Sequence, residues 1–360
     1  MKMPANFIHE EILEKGYITF ARFMELALYC PDSGYYETDQ KNVGRSGDFY
    51  TSVSVGPIFG QLLAFQFAAW LTPLAAASNP LYLIEAGAHD GQLAQDILGA
   101  LRDHHPAVFE KMNYIILEPS ARRQSWQQET LQRFTGKVQW KSSFSALNQS
   151  HAASLNGIIF SNELLDAFPI HRFVWDATKL IWSELGVIFE NKQFQWAKIP
   201  GLTPKTPPKA LAAVLPDGYI IETSPAAVAW WQEAARSLQA GKLMAFDYGL
   251  IDDELYQPSR VNGTLRAYSK HHISGNVLET PGEQDLTAHV NFSAIQEAGE
   301  ASGLSTDAFL TQAQFLTRVL AEMNKTSILK NWGPAQMRQF QTLTHPEHLG
   351  RPFKVLIQSR

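Results

Sequence analysis

The chain has 360 residues, of which 45% are hydrophobic and 18% are charged, and its formal net charge is −5. This composition is typical of a globular enzyme longer than one average domain, and it gives no basic surplus for nucleic-acid binding. The single cysteine, Cys30, excludes an intramolecular disulfide and a cysteine-based zinc cluster. No apolar run approaches the roughly 18 residues of a membrane span, and the N-terminus lacks a signal-peptide core. We therefore expect a cytoplasmic protein.

The first part of the chain is predicted to be helical. Residues 6–30 carry apolar side chains at helical spacing, and Thr19 is a candidate N-cap of the second helix. Residues 39–57 are polar and glycine-rich, and a loop of this length is more often functional or mobile than inert. An apolar, aromatic-rich helix follows the loop. Residues 1–75 are therefore interpreted as a helical N-terminal region that precedes a main domain at 76–360.

A glycine loop joins the first buried strand of the main domain to the helix after it. The apolar run that begins at residue 81 contains Glu85 near its end, and glycines follow at positions 87 and 91. Because glycine has no Cβ, such a loop lets the backbone approach a ligand closely, and the helix N-terminus adds N–H donors. In an open α/β sheet, ligands bind at the carboxyl ends of the strands, where this loop lies. A tight βα turn without a ligand is the alternative interpretation.

Two further apolar strands also end in polar or acidic residues. The second strand ends at Glu118, and an acid at this place can accept hydrogen bonds from both ribose hydroxyls of a nucleoside. The third strand is followed by Asn162, Glu163 and Asp166. Each of these residues has a structural explanation as a strand-end or turn residue. Three successive strands nevertheless carry ligand-type side chains at the same end, which predicts a ligand site there.

The rest of the chain departs from this alternation and then returns to it. Residues 171–223 hold short β segments separated by turns, which predicts an antiparallel meander. This segment and parts of 250–290 are interpreted as insertions into the main domain. Residues 241–249 form a further core strand that ends in Asp-Tyr-Gly, and 353–358 are predicted to form a final edge strand. The predicted fold class is α/β, with a Rossmann-like, mostly parallel sheet flanked by helices.

Three other enzyme classes find little support in the sequence. The 11 histidines are scattered without the H-E-x-x-H or facial-triad spacing of metal sites. No G-x-S-x-G elbow is present for a Ser-His-Asp hydrolase. A nicotinamide dehydrogenase needs a tighter G-x-G-x-x-G turn than residues 87–92 supply.

The motifs and their order resemble class I S-adenosylmethionine-dependent methyltransferases, and among them the MidA-like proteins (domain of unknown function 185). The general likeness rests on the acid-x-Gly-x-x-x-Gly pattern after the first strand and the acid after the second. The family likeness rests on short stretches that run nearly end to end, namely residues 19–24, 28–29, 34–36, 47–51, 85–91, 162–169, 247–249, 263–268 and 285–292. The resemblance implies a class I methyltransferase fold with S-adenosyl-L-methionine as cofactor. It also implies a protein substrate, because mitochondrial members act as protein arginine methyltransferases in respiratory complex I assembly.

The resemblance further implies roles for individual residues. The glycine loop would surround the methionine part of the cofactor, and the acid after the second strand would bind its ribose. The N-terminal region, residues 1–75, would cover the cofactor site, with its polar loop folded over the cofactor. The cofactor-binding candidates are Glu85, Gly87, His89, Gly91, Glu118, Gly47, Asp48, Phe49 and Thr51. The candidates that line the place where the methyl group leaves are Asn162, Glu163 and Asp166.

The chain departs from the family pattern Glu-x-Gly-x-Gly-x-Gly at one position. His89 stands where the middle glycine belongs, and an imidazole there would crowd the cofactor or force a non-glycine residue to positive φ. Two functions therefore stay open. One is a methyltransferase that modifies protein arginine, and the other is a weakly active or inactive assembly factor that binds the cofactor and a partner. The oligomeric state is also open, a homodimer included, and neither nucleic acid nor membrane insertion is expected.

Overall fold

The computed structural model describes residues 3–38, 51–77, 80–151, 155–204, 214–269, 272–273 and 275–360. The chain folds into two compact units, and each is assembled from three separate segments. The first unit consists of Met1–Asn42, Asp166–Val228 and Leu250–Ser293. The second unit consists of Val43–Leu165, Ala229–Gly249 and Ala294–Arg360.

The described chain contains helices and strands throughout its length. The helices are α1 (Pro4–Lys15), α2 (Phe20–Tyr29), α3 (Ile58–Ala77), α4 (Gln92–His104), α5 (Pro106–Lys111), α6 (Ala121–Thr130), α7 (Phe144–His151), α8 (Pro225–Ser237), α9 (Asp252–Leu255), α10 (Phe292–Ala301), α11 (Gln312–Met323) and α12 (Pro334–Thr344). The strands are β1 (Ile18–Thr19), β2 (Leu81–Ala86), β3 (Met112–Leu117), β4 (Val138–Lys141), β5 (Leu155–Asn162), β6 (His171–Asp176), β7 (Ile181–Glu190), β8 (Gln193–Ile199), β9 (Ile220–Thr223), β10 (Leu238–Leu250), β11 (Arg266–Ser269), β12 (His272–Ile273), β13 (Asp285–Thr287), β14 (Val290–Asn291), β15 (Ser305–Thr311) and β16 (Phe353–Ser359).

The first unit combines helices α1 and α2 with antiparallel strands. One sheet has the order β1-β7-β6-β9, with β8 paired to β7, and a small second sheet has the order β12-β11-β13. The predicted antiparallel meander after residue 171 is therefore confirmed. Thr19 caps α2 as expected, because its side chain accepts a hydrogen bond from the backbone N–H of Arg22 at 3.2 Å. Ile8, Phe23 and Val187 belong to the apolar core that joins these helices to the sheet.

The second unit is built on a mostly parallel sheet, as predicted. Its strands follow the order β15-β16-β10-β5-β2-β3-β4, and the run from β10 to β4 is parallel. Strand β16 is antiparallel to both of its neighbours. The expected edge position of this strand is wrong, because the partly exposed strand β15 covers it. Strand β15 was not predicted from the sequence.

The parallel pairing brings the ends of three strands together. Ala86 at the end of β2 is in register with Leu117 of β3 and with Ser161 of β5. Glu118 and Asn162 come directly after those two partners. These polar residues, which end separate strands in sequence, therefore lie at one end of the sheet.

At the opposite end of the sheet, two glycines permit close strand packing. A Cβ on Gly157 of β5 would come within 1.9 Å of the carbonyl oxygen of Tyr82 in β2. A Cβ on Gly241 of β10 would come within 1.8 Å of the carbonyl oxygen of Gly157. Only glycine fits at these two positions without moving the strands apart.

Helix α3 is unusually long and apolar. Its aromatic residues enter the core of the second unit, where the ring centres of Phe59 and Phe246 are 5.3 Å apart and those of Phe67 and Phe160 are 5.0 Å apart. The window Ile58–Ala75 has a mean hydropathy of 1.4, and by length and composition alone it could cross a membrane. By this criterion, the expectation that no apolar run approaches the length of a membrane span is wrong. Half of it is buried inside the fold, and a core helix of a soluble protein meets the same criterion, so this is weak evidence for a membrane span.

Candidate active site

The glycine loop between β2 and α4 has left-handed backbone at three positions. The φ angles are +74° at Gly87, +46° at His89 and +86° at Gly91. A Cβ on Gly87 would lie 2.9 Å from Cδ1 of Leu164, so the loop packs against the chain that leaves β5. His89 thus adopts the conformation that a glycine normally takes, as its place in the motif predicted. Its side chain remains 37% exposed.

Glu85 lies inside the second unit rather than on its surface. The residue is 2% exposed, and its Oε2 accepts a hydrogen bond from the Tyr114 hydroxyl of β3 at 2.6 Å. Burial raises the pKa of Glu85 to about 7, although the Tyr114 hydrogen bond lowers it and the Asp90 charge raises it slightly further. The buried environment of this carboxyl group thus favours its neutral form.

Glu118 is held by three nitrogen donors at the end of β3. Its Oε1 accepts from the backbone N–H of Ser120 at 2.9 Å and lies 3.1 Å from Nη2 of Arg123. Its Oε2 accepts from Nε2 of Gln127 at 3.2 Å. The residue is 1% exposed. These contacts fix the carboxylate in one orientation beside the glycine loop.

Glu163, the first residue after β5, is also held in a left-handed conformation. Its φ angle is +52°, and its N–H donates to the carbonyl oxygen of Phe246 in β10 at 2.9 Å. Its Oε1 accepts from Nδ2 of Asn162 at 3.1 Å and from the backbone N–H of Ser52 at 3.3 Å. Non-glycine residues with this backbone are costly, and they concentrate at functional sites. Two of the candidate catalytic residues are thus in direct contact.

Asp247 lies beneath this turn and was missed as a site residue. It is fully buried in β10, and its Oδ2 accepts from the N–H groups of Leu164 at 3.1 Å and Leu165 at 2.7 Å. Its Oδ1 accepts from the N–H of Tyr248 at 2.8 Å. Burial and the charge of Glu163 raise the pKa of Asp247 to about 7, against the three N–H donors. The Asp-Tyr-Gly ending of the strand was the sequence signal for this residue.

The remaining candidate residues are those of the polar N-terminal loop and Asp166. Thr51 begins a compact turn in which its N–H donates to the Ser54 hydroxyl at 3.0 Å, and Ser52 follows it toward Glu163. Asp166 belongs to the first unit, where its carbonyl oxygen accepts from the N–H of Ala288 at 3.0 Å. Gly47, Asp48 and Phe49 lie outside the described residues.

A comparison with known protein families shows to which family this chain belongs. Residues 62–310 match the family described as "Putative S-adenosyl-L-methionine-dependent methyltransferase". This chain belongs to that family. It is an S-adenosylmethionine-dependent methyltransferase, as the resemblance implied.

Solved structures and curated relatives of this methyltransferase agree with the assignment. A protein of Burkholderia thailandensis, solved with S-adenosyl-homocysteine bound, is 31% identical, with a TM-score of 0.85 and coverage of 99% of this chain and 92% of its own. The mitochondrial protein arginine methyltransferase NDUFAF7 of Danio rerio is 26% identical over 98% of this chain and 86% of the relative. The Homo sapiens protein of the same name is 25% identical over 95% and 80%.

The geometry suits the cofactor of the family. Gly87 and Gly91 leave the loop backbone without side chains, and Gly91 is the N-cap of α4, whose first N–H groups can bind an anionic group. An oriented carboxylate, Glu118, stands at the same end of the sheet. Within the described residues, no group of three or more His, Cys, Asp and Glu side chains is placed to hold a metal ion.

One expectation is corrected by the relatives. The cytoplasmic location predicted from the sequence is wrong, because the curated relatives are named as mitochondrial proteins. The prediction rested on the lack of a signal-peptide core and of a membrane-length apolar run. Neither feature distinguishes one compartment from another.

Proposed function

We propose that this methyltransferase transfers a methyl group to the guanidinium nitrogen of an arginine in a partner protein. The observation that carries the proposal is the strained Glu163, oriented by Asn162 and Ser52 above the buried Asp247. A guanidinium is a planar, charged fork of N–H donors, and a fixed carboxylate can bind it through paired hydrogen bonds. The names of the curated relatives support the same acceptor.

The cofactor residues are assigned by the same reasoning. In this proposal the glycine loop, with Gly87, His89 and Gly91, binds the methionine part of S-adenosylmethionine, with Glu85 behind it. Glu118 accepts hydrogen bonds from the ribose hydroxyls. The segment that contains Gly47, Asp48, Phe49 and Thr51 covers the cofactor, and the contact between Ser52 and Glu163 supports this placement.

The protein's contribution to the reaction is orientation and charge. S-adenosylmethionine, when bound, supplies a methyl group that is already activated by its sulfonium. Glu163 aligns the guanidinium nitrogen for in-line attack, and such alignment supplies much of the rate enhancement in reactions of this kind. Because a guanidinium is fully protonated at neutral pH, Glu163 also localises the positive charge and accepts the proton that the nitrogen loses. Asn162 holds the Glu163 carboxylate, and Asp166 is the second carboxylate proposed for the acceptor.

The partner is a protein, and we propose that it is a subunit of a respiratory complex. This finer assignment rests on the family resemblance and on relatives that are named as mitochondrial. The oligomeric state stays open, with a homodimer as one candidate, and the molar mass measured by light scattering would test it.

One observation favours a second candidate function. His89 occupies a left-handed position that the family pattern gives to glycine, and this strain would weaken a cofactor site. An assembly factor that binds its partner with little methyl transfer would tolerate this weakening.

Tritiated methyl transfer separates the two candidates. The purified protein and labelled S-adenosylmethionine are added to a lysate of cells that lack the protein, and the labelled residue is identified by mass spectrometry. Label on arginine supports the proposal, whereas label on lysine or cysteine contradicts it. Partner capture from the same lysate with no incorporated label would favour the assembly factor.

A further inference from the structure

Helix α6 is attached to the second unit by a polar side chain. Gln127 is the buried residue of this helix, and it is fully shielded from solvent. A single polar anchor is unusual, because helices normally pack through an apolar stripe. A buried amide is stable only when its hydrogen-bonding groups are satisfied.

The orientation of the Gln127 amide follows from its partners. The indole Nε1–H of Trp140 in β4 lies 2.9 Å from Oε1 of Gln127, and an indole nitrogen can only donate. The amide oxygen therefore faces Trp140, and the amide nitrogen faces the other way. There Nε2 donates to the carbonyl oxygen of His89 at 3.0 Å and to Oε2 of Glu118 at 3.2 Å.

One amide group thus contacts both halves of the candidate cofactor site. Its two N–H groups donate to the glycine loop and to the acid after β3, and its oxygen accepts from Trp140 of β4. The backbone adds a second link, because a Cβ on Gly91 would come within 3.3 Å of the Gln127 Cα. The contact with the His89 carbonyl also holds the position where the family glycine is missing.

We propose that Gln127 is a positioning residue that fixes the glycine loop and the Glu118 carboxylate in one arrangement, so that both bind the same cofactor molecule. The inference rests on the proposed assignment of these two elements to S-adenosylmethionine. Gln127 does not itself need to touch the cofactor. It acts through the His89 backbone and the Glu118 side chain.

The first experiment is calorimetric titration of the purified protein with S-adenosylhomocysteine. Gln127→Leu keeps most of the volume but removes the three hydrogen bonds, and we expect the affinity to fall about tenfold or more. The matched control is Gln128→Leu on the exposed side of the same helix, which should leave the affinity unchanged. If the wild-type protein does not bind S-adenosylhomocysteine, the proposed cofactor assignment fails; if it binds and Gln127→Leu binds equally well, only the present inference fails.

A double-mutant cycle separates positioning from general stabilisation. Because Gln127 acts partly through Glu118, its loss should cost less affinity in a Glu118→Gln background than in the wild type. A residue that only supports the fold would give additive losses. Additivity would therefore overturn the proposal.

Gln127→Glu supplies an independent readout and a variant closer to the native residue. The introduced carboxylate would face Glu118 at short range, but once protonated it could again donate one hydrogen bond. As the pH is lowered, we expect the S-adenosylhomocysteine affinity of Gln127→Glu to rise relative to that of the wild-type protein. The nearby charge-bearing groups, His89 and Arg123, are present in both the variant and the wild-type protein, so their effects cancel in this comparison. If the affinities of Gln127→Glu and the wild-type protein change in parallel with pH, the inference is contradicted. Unfolding of both Gln127 variants would also contradict it, because Gln127 would then support the fold and not the site.

Discussion

Two residues carry most of the local strain at the candidate site. His89 and Glu163 both have left-handed backbone, at φ +46° and +52°, and both follow a strand of the parallel sheet. The first could be predicted, because the motif gives that position to glycine. The second could not, because nothing in the local sequence marks a left-handed residue there. Its conformation depends on β10, which supplies the Phe246 carbonyl and the Asp247 carboxylate from a distant part of the chain.

We predict that His89→Gly stabilises the protein by about 0.5–1 kcal/mol. Left-handed backbone costs a non-glycine residue about 1–2 kcal/mol, and the extra flexibility of an unfolded glycine offsets part of the gain. Urea denaturation without ligand measures the change, and S-adenosylhomocysteine binding should be equal or tighter. Ala88→Gly, which changes a neighbour outside the left-handed region, should destabilise instead. A large loss of binding in His89→Gly would show that the imidazole itself contacts the cofactor.

Glu163→Gln should abolish most catalysis and preserve the cofactor site. The amide keeps the size of the side chain but cannot balance the guanidinium charge or accept its proton, so methyl transfer should fall about 100-fold or more. S-adenosylhomocysteine affinity, measured by calorimetry, should stay near the wild-type value. The exposed Glu129→Gln is the control for loss of one negative charge. Full activity in Glu163→Gln would remove this residue from the mechanism.

At the scale of elements, the mostly parallel sheet contains both strands that the sequence patterns predicted and one that they missed. The buried parallel strands β2, β3 and β5 were predicted because continuous apolar runs end in turn and polar residues. Strand β15 was missed because its residues are partly exposed and lack that run. The error displaced β16 to the edge of the sheet, since pairing between distant segments is not encoded in local periodicity. Gln127 was missed for a similar reason, because a polar residue on a polar helix gives no pattern.

The glycine contacts between strands lead to a sharp stability prediction. Gly157→Ala should destabilise the protein by about 3 kcal/mol or more, because the new methyl group would overlap the Tyr82 carbonyl and force β2 and β5 apart. Gly99→Ala in α4 is the matched control, since its Cβ would enter open space. That change should stabilise the protein by about 0.5–1 kcal/mol through helix propensity. Thermal unfolding followed by circular dichroism compares the two, and an equally stable Gly157→Ala variant would contradict the strand register.

At the scale of the whole molecule, the sequence predicted the types of structure better than their grouping. The antiparallel segment after residue 171 and the parallel sheet were both expected. The structure groups the N-terminal helices α1 and α2 with that antiparallel segment, and it places α3 in the second unit. Whether residues 1–75 act together as a cover for the cofactor stays a prediction. Such groupings depend on contacts between segments that are far apart in the chain, and composition does not reveal them.

Buried acids in the second unit make its stability depend on pH in an unusual direction. The pKa of Glu85 and that of Asp247 are both raised to about 7 by burial, well above the values of the unfolded chain. The folded state therefore binds protons more tightly, and stability should rise as the pH falls from about 8 to about 5. We expect a gain of at least about 1 kcal/mol, measured by urea denaturation without ligand.

The double variant Glu85→Gln and Asp247→Asn should reduce this pH dependence, and the raised pKa of Asp96, about 6, should leave a smaller part of it in place. Neither amide titrates, so the proton uptake of these two groups on folding is lost. Glu297→Gln, at an exposed position, should leave the profile as it is in the wild type. A wild-type profile that falls on acidification would show that these carboxyl groups stay charged in the fold.

The position of β16 between β15 and β10 has a consequence for how the sheet forms. The backbone of β10 from Lys242 to Tyr248 finds its antiparallel partner only in residues far along the chain, with helices α9 to α12 between them. Closing so long a loop is slow, because its entropy must be lost before the pairing is gained. During that interval the β10 backbone is an open template that can capture a strand from another molecule. We therefore expect the partitioning between folding and aggregation to depend on a step remote from the glycine loop and the candidate catalytic residues.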